Sequence, residues 1–161
     1  NYKGLDLLIK ASKNLKKKLN DFKIVVAGEC YGDQNKYIEL ARKLDVEESF
    51  IFNFSFINNE DVSKYFSAAD VVVLPYKSAT QSGIIPIAYH FNLPVISTDV
   101  GGLREYVKHN KSGYLCNPDS KSISNSIIDF YSSKNDFSAY IEEYKKQFSW
   151  QAFSDKIMTV V

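Results

Sequence analysis

The stretch that decides the fold is Ala68-Ala69-Asp70-Val71-Val72-Val73-Leu74-Pro75-Tyr76-Lys77-Ser78-Ala79-Thr80-Gln81-Ser82-Gly83-Ile84-Ile85. Val71 to Leu74 is continuously apolar rather than alternating, as in a parallel strand covered on both faces. Pro75 stops it, because proline has no N–H to give to a ladder. Small polar residues follow. A helix is then expected from Ser82 or Gly83 to Phe91, buried on most sides. Gly83 allows close backbone approach, and the unpaired N–H groups of a first turn can hold an anion. Pro86 sits within or just after that turn, where a missing N–H costs little. Read alone, the segment is equally a plain strand-to-helix turn with a capping serine.

The same alternation extends outward in both directions. Downstream, Pro94 opens a strand over Val95–Ser97, and Gly101-Gly102 breaks the chain before a short helix, Leu103 to Val107. Gly113–Leu115 reads as a last strand, and the pattern from Ser120 is helical to the end, with a break near Ser149. Upstream, Asn58 or Asn59 caps a helix to Ala69, Phe50 to Ile57 reads as a strand, and Gln34 to Leu44 as a helix. Phe22 to Ala27 is a strand ending at Gly28. Gly4 to Leu19 places Leu5, Leu8, Ile9, Ala11, Ser12, Leu15 and Leu19 on one helical stripe. Strands alternating with helices predict an α/β, Rossmann-like doubly wound, mainly parallel sheet with helices on both faces. Ligands of such sheets bind at the carboxyl ends of the strands, which selects Gly28–Cys30, Asn58-Asn59, Tyr76 to Gly83 and Thr98 to Gly102.

Composition narrows the function. The chain has 161 residues, 45% of them hydrophobic and 24% charged, which excludes wholesale disorder and fits one domain. Twenty basic and nineteen acidic residues leave a net charge of +1, which argues against a nucleic-acid partner. Cys30 and Cys116 have no neighbouring Cys or His at ligand spacing and read as two free thiols. No apolar run approaches the roughly 20 residues of a membrane span. The first residue is Asn1, on a helix-like pattern, so the expectation is one domain over residues 1–161 within a longer two-domain protein.

Two further segments carry chemistry. Asn92 to Glu105 places a second glycine-rich turn, Gly101-Gly102, at a strand end; alone it is a hinge. Tyr2-Lys3-Gly4-Leu5-Asp6 places a lysine just before a helix; alone it is a solvated lysine.

Taken in order, these pieces resemble the C-terminal, nucleotide-sugar-binding half of GT-B fold retaining glycosyltransferases of family 4, the glycosyl transferases group 1. Lys3-Gly4-x-Asp6-x-Leu8-Ile9 is similar to that family's entry motif, and Ile24-Val25-Val26-Ala27-Gly28 to its second strand. Ala68 to Pro75, Pro94-Val95-Ile96 through Gly101-Gly102 to Glu105, Ser112 to Leu115, Pro118-x-Ser120 and Phe148-Ser149-Trp150 follow it in turn. The resemblance spans Lys3 to about Trp150. The family normally has one more central strand before Lys3; its absence from this stretch implies a gap or an unusual pairing in the sheet.

The resemblance implies transfer of a sugar from a nucleoside diphosphate sugar with retention, in a bacterial, cytoplasmic enzyme building a surface polysaccharide or glycolipid. It implies that Lys3, Ser82, Gly83, Ile84 and Ile85 hold the donor diphosphate, that Thr80 and Gln81 touch the donor sugar, and that Gly28 and Ile57 lie near the base. No metal or cofactor is expected. The acceptor, a glycan or lipid-linked sugar, would bind through an N-terminal domain, so this domain alone should be inactive. The family keeps two glutamates, one for sugar hydroxyls and one for the ribose, and here those positions are Thr80 and Ile87. Ile87 accepts no hydrogen bond. The alternative is therefore a glycosyltransferase-like binding or assembly module without donor chemistry. A receiver-like signalling domain is a weaker reading, because Glu29 alone does not supply its acidic cluster. His90 reads as a partly buried structural histidine and His109 as a solvated turn residue. Lys16-Lys17-Lys18 reads as a solvated helix end; the alternative is peripheral contact with anionic lipid at the inner face of the membrane.

Overall fold

The computed structural model describes residues 2–133, 135–149, 152, 154, 157 and 158. Five strands alternate with helices in chain order. α1 is Leu5–Leu15, β1 Ile24–Ala27, α2 Asn35–Lys43, β2 Phe50–Asn53, α3 Asn59–Ser67, β3 Val72–Leu74 and α4 Ile84–His90. Then come β4 Val95–Thr98, α5 Leu103–Tyr106, β5 Gly113–Cys116, α6 Ser120–Ser132 and α7 Ser138–Tyr144, the last followed by a 3-10 turn, Lys145–Phe148. Every expected strand is present within a few residues. Three ends differ for local reasons. β2 stops at Asn53, whose side chain accepts from the Ser55 N–H at 3.2 Å and turns the backbone away. α4 starts at Ile84, with Gly83 as its N-cap. The C-terminal helix is broken at Ser133, which is extended, so α6 and α7 are separate as well as the chain turning at Ser149.

All strand pairs are parallel, but they form two sheets, β1-β2 and β3-β4-β5. Among the described residues β1 and β3 are not hydrogen-bonded to each other. This is the interruption the resemblance implied. The rows of side chains differ accordingly. β4 is buried throughout, whereas Val25 and Ile51, paired in register on β1 and β2, are each about half exposed.

α1 joins the two sheets. Its Leu8, Ala11 and Leu15 pack into the larger core with Leu74, Ile96, Ile123 and Tyr89. Its Ile9 packs into a smaller core with Tyr37, Ala41, Val46 and Phe50. A helix stripe wide enough to serve both cores is what its apolar periodicity supplies. Asn14 donates to Ser124 Oγ at 3.0 Å, fixing α1 on α6. A second group of helices meets through aromatic rings. Phe66 of α3 stacks on Phe91 at 5.4 Å, and Tyr89 of α4 packs on Tyr144 and Phe148. The Tyr89 hydroxyl is within 2.7 Å of Ser112 Oγ and 3.0 Å of the Tyr106 carbonyl, and burial raises its pKa. Both cysteines are free, Cys116 buried and Cys30 half-buried; burial pushes the Cys116 thiol up to about 11.

Candidate functional site

The site is assembled at the carboxyl end of β3, where three backbone segments meet. Tyr76 and Thr98 are buried, and Thr98 Oγ1 donates to the Tyr76 carbonyl at 2.6 Å, so the ends of β3 and β4 are locked together. The entry segment lies on this junction. The Lys77 N–H donates to the Tyr2 carbonyl at 2.7 Å, and the Tyr2 ring meets the Tyr76 ring edge-on at 6.1 Å. Gly4 has φ +65, and a Cβ there would lie 1.8 Å from the Pro75 carbonyl oxygen. Only glycine accepts both the left-handed backbone and that approach. The third segment is the turn after β4. Cβ atoms on Gly101 and Gly102 would meet the Ala79 and Thr80 carbonyl oxygens at 1.7 and 2.3 Å. The loop from Lys77 to Thr80 is thus clasped from both sides, and with Val100 and Gly101 it lines a groove of about 470 Å³.

Lys3 is set in this arrangement between Tyr2 and Gly4, both held on β3. It is exposed and has no hydrogen-bond or ion-pair partner among the described residues. Lys77, at the same strand end, is occupied: its Nζ lies 2.8 and 2.9 Å from the two carboxylate oxygens of Asp6. Burial works against ionisation of Asp6, but the hydrogen bond and charge of Lys77, with Lys10 at 3.7 Å, prevail and hold its pKa below the usual value.

Thr80, Gln81 and Ser82 to Ile85 fall at the same edge. Thr80 and Gln81 are exposed beside the groove. Ser82 lies under Tyr76, its Oγ 3.5 Å from the Tyr76 hydroxyl. The N–H groups of Ile84 and Ile85 turn inward to Ser82, at 3.4 Å to its Oγ and 3.3 Å to its carbonyl. The Ser82 and Gly83 N–H groups have no internal partner among the described residues. Of the four residues expected to present amides, two therefore do so without competition. Gly83 has an ordinary helical φ of -65 and nothing within 4 Å of its Cβ position, so its openness is spatial. Gly28, with φ +122, and half-buried Ile57 follow β1 and β2, at the edge of the other sheet.

Other expectations change. His90 is exposed, packing edge-on against Phe91 at 5.1 Å, rather than partly buried. Ile87 is also exposed on α4, because Ile85, Ala88 and Tyr89 take the inward face. His109 is exposed as expected, yet its Nδ1 accepts from the Leu115 N–H at 3.0 Å. Lys16 is paired with Asp45 at 2.7 Å, while Lys17 and Lys18 project into solvent. Sequence reasoning assigned no role to Lys77 or Asp6. Opposite charges at the two segments the resemblance brings together were the available signal. A second depression, of about 320 Å³ between Asp99, Cys116, Asn117 and α6, includes none of the residues expected to contact the donor.

The loops after β3 and β4 and the unpaired Lys3 are gathered at the carboxyl end of the strands, where ligands of parallel α/β sheets generally bind. The sequence profile of the family described as glycosyl transferases group 1 matches residues 1–148, and the chain belongs to that family. Within it, the chain corresponds to the C-terminal domain of the GT-B fold. It is 37% identical over 123 residues to an uncharacterized glycosyltransferase of Methanocaldococcus jannaschii, covering 73% of this chain and 30% of that protein. It is 30% identical over 119 residues to the amylovoran biosynthesis glycosyltransferase AmsK of Erwinia amylovora, covering 70% and 29%. The chain thus spans about a third of the length of the curated relatives it matches. The solved structure of Anabaena HepE in complex with UDP superposes with a TM-score of 0.77 at 20% identity, over 99% of this chain and 46% of that one.

Proposed function

We propose that this chain is the donor-binding domain of a retaining, nucleoside diphosphate sugar-dependent glycosyltransferase that builds a surface polysaccharide or glycolipid. The observation that carries the reading is the unpaired Lys3, held by the Tyr2–Lys77 and Gly4–Pro75 contacts at the strand end where Ser82 and Gly83 present free N–H groups. A lysine point charge beside oriented amides suits a diphosphate, and the reading calls on no metal. Thr80 and Gln81 then face the sugar, and Gly28 and Ile57 the base. The name of the Erwinia relative supports a polysaccharide product, and the Anabaena complex a uridine diphosphate ligand. The acceptor, a glycan or lipid-linked sugar, binds in this reading to a domain outside this chain, at the cytoplasmic face of the membrane. No helix among the described residues is long and apolar enough to cross a membrane. Lys17 and Lys18 are available in this reading for peripheral contact with anionic lipid.

Ile87 supports a second reading. It is exposed on α4 at the position where the family keeps its ribose-binding acid. A module that has lost donor chemistry would show this. A thermal-shift screen of the full-length protein against nucleotides and nucleotide sugars separates the two. Ligand at 100 times its dissociation constant adds about 2.7 kcal/mol of stability if the donor reading holds. No stabilisation by any of them favours the module.

A further inference from the structure

We infer that the Asp6–Lys77 ion pair is a positioning device for the donor site, which sets the backbone around Lys3 and leaves Lys3 as the cation that meets the ligand. The inference rests on the donor reading above.

The pair joins residues 71 positions apart and lies between two segments that carry expected ligand contacts. Asp6 is on the first turn of α1, three residues after Lys3. Lys77 opens the loop that leads to Thr80 and lines the groove. The side-chain pair repeats, a few ångströms away, what the backbone does through the Lys77 N–H and Tyr2 carbonyl. Two linkages between the same segments define an orientation, whereas one leaves a hinge. Lys77 is 43% exposed, but Asp6 is only 26% exposed and accepts at both oxygens, which gives the pair a defined geometry at the surface.

The electrostatic division is equally specific. Two lysines stand at one strand end. Asp6 neutralises Lys77 and not Lys3. A second unpaired ammonium there would compete for the same anion and pull it toward the groove. With Lys77 held, the attraction points to Lys3 and the amides at Ser82 and Gly83. Lys77 is therefore a positioning residue and not a ligand cation.

The experiment measures UDP and GDP affinity by calorimetry, with donor KM and kcat, in the full-length protein and its Asp6→Asn, Lys77→Met and double variants. Melting temperatures verify folding, and Lys77→Arg provides a folded control that keeps the pair. The expected result is about a tenfold loss of nucleotide affinity in each single variant, the scale of losing a support behind a ligand-binding group. The double variant should lose no more than either single one, Lys77→Arg should bind as wild type, and donor KM should rise more than kcat falls. Tighter binding in Asp6→Asn with weaker binding in Lys77→Met would overturn the inference, since Lys77 would then be a ligand cation that Asp6 restrains. Unchanged affinity in both variants would overturn it while leaving the donor reading standing. Wild-type protein that binds no nucleotide would overturn the donor reading and this inference with it.

Discussion

Gly4 and Pro75 touch more closely than any side chain would permit: a Cβ on Gly4 would lie 1.8 Å from the Pro75 carbonyl oxygen, at a φ of +65. The obstruction is backbone and cannot rotate away. Gly4→Ala is therefore expected to cost about 2 kcal/mol or more of stability, since both the left-handed conformation and the approach are lost. It should also displace Lys3 and weaken nucleotide binding. Urea denaturation and calorimetry of the variant provide the two measurements.

Gly83 makes the opposite case. Nothing lies within 4 Å of its Cβ position, and its backbone is already right-handed. Gly83→Val should leave the melting temperature within a few degrees of wild type, because replacing an N-cap glycine by a branched residue costs about 1 kcal/mol. In the donor reading the new methyl groups stand where the diphosphate lies, and nucleotide binding disappears. Full binding in this variant would remove Gly83 from the site.

Lys3→Ala tests the unpaired charge. Removing a hydrogen bond to a charged group costs about 1.5–3 kcal/mol, which is roughly a 10- to 100-fold loss of donor affinity. Substitution of Thr80 or Gln81 should instead lower turnover more than nucleotide affinity, because in the donor reading they face the reacting half of the donor. Steady-state kinetics and nucleotide titrations resolve the two patterns.

Tyr89 separates stability from binding. Its hydroxyl is buried between Ser112 and the Tyr106 carbonyl. Tyr89→Phe should lose about 1–2 kcal/mol. It should leave nucleotide affinity unchanged, since the hydroxyl removed bonds only to Ser112 and Tyr106, neither of them an expected site residue. A binding defect in a folded Tyr89→Phe protein would show coupling that the packing does not suggest.

Acid should act through Asp6 and Asp119. Lys77 holds the Asp6 carboxyl below its usual pKa despite burial, and the Ser122 N–H and hydroxyl do the same for Asp119 at the start of α6. A folded-state pKa below the unfolded one contributes stability that is complete above the ordinary carboxyl range. That contribution fades as the pH falls through the folded values. Thermal unfolding from pH 6 to pH 3 should show the decline, and it should be shallower in Asp6→Asn and Asp119→Asn.

The strands were legible because each is a short apolar run with a stop at its end, such as Pro75 after Leu74 or Gly28 after Ala27. The ordered motifs placed the site at the end of β3 for the same reason: Lys3, Gly83 and Gly101 each mark a backbone feature. What sequence did not show was long-range. Asp6 and Lys77 are ordinary charges until the fold sets them 2.8 Å apart. His109 reads as a solvated turn residue, and its acceptance from Leu115 depends on the turn of Asn110, which has φ +61. The helix break at Ser133 had no proline or glycine to announce it.

The division of the strands into two sheets has a consequence for how the domain comes apart. Among the described residues no ladder connects the halves, so α1, with Ile9 in one core and Leu8, Ala11 and Leu15 in the other, transmits cooperativity mainly through packing. Local opening can then separate along that seam. Native-state hydrogen exchange should reveal two protection classes, with the β1-β2 amides opening at lower free energy than those of β4. Ile9→Ala should widen the difference by loosening one class and sparing the other, whereas Leu15→Ala should narrow it.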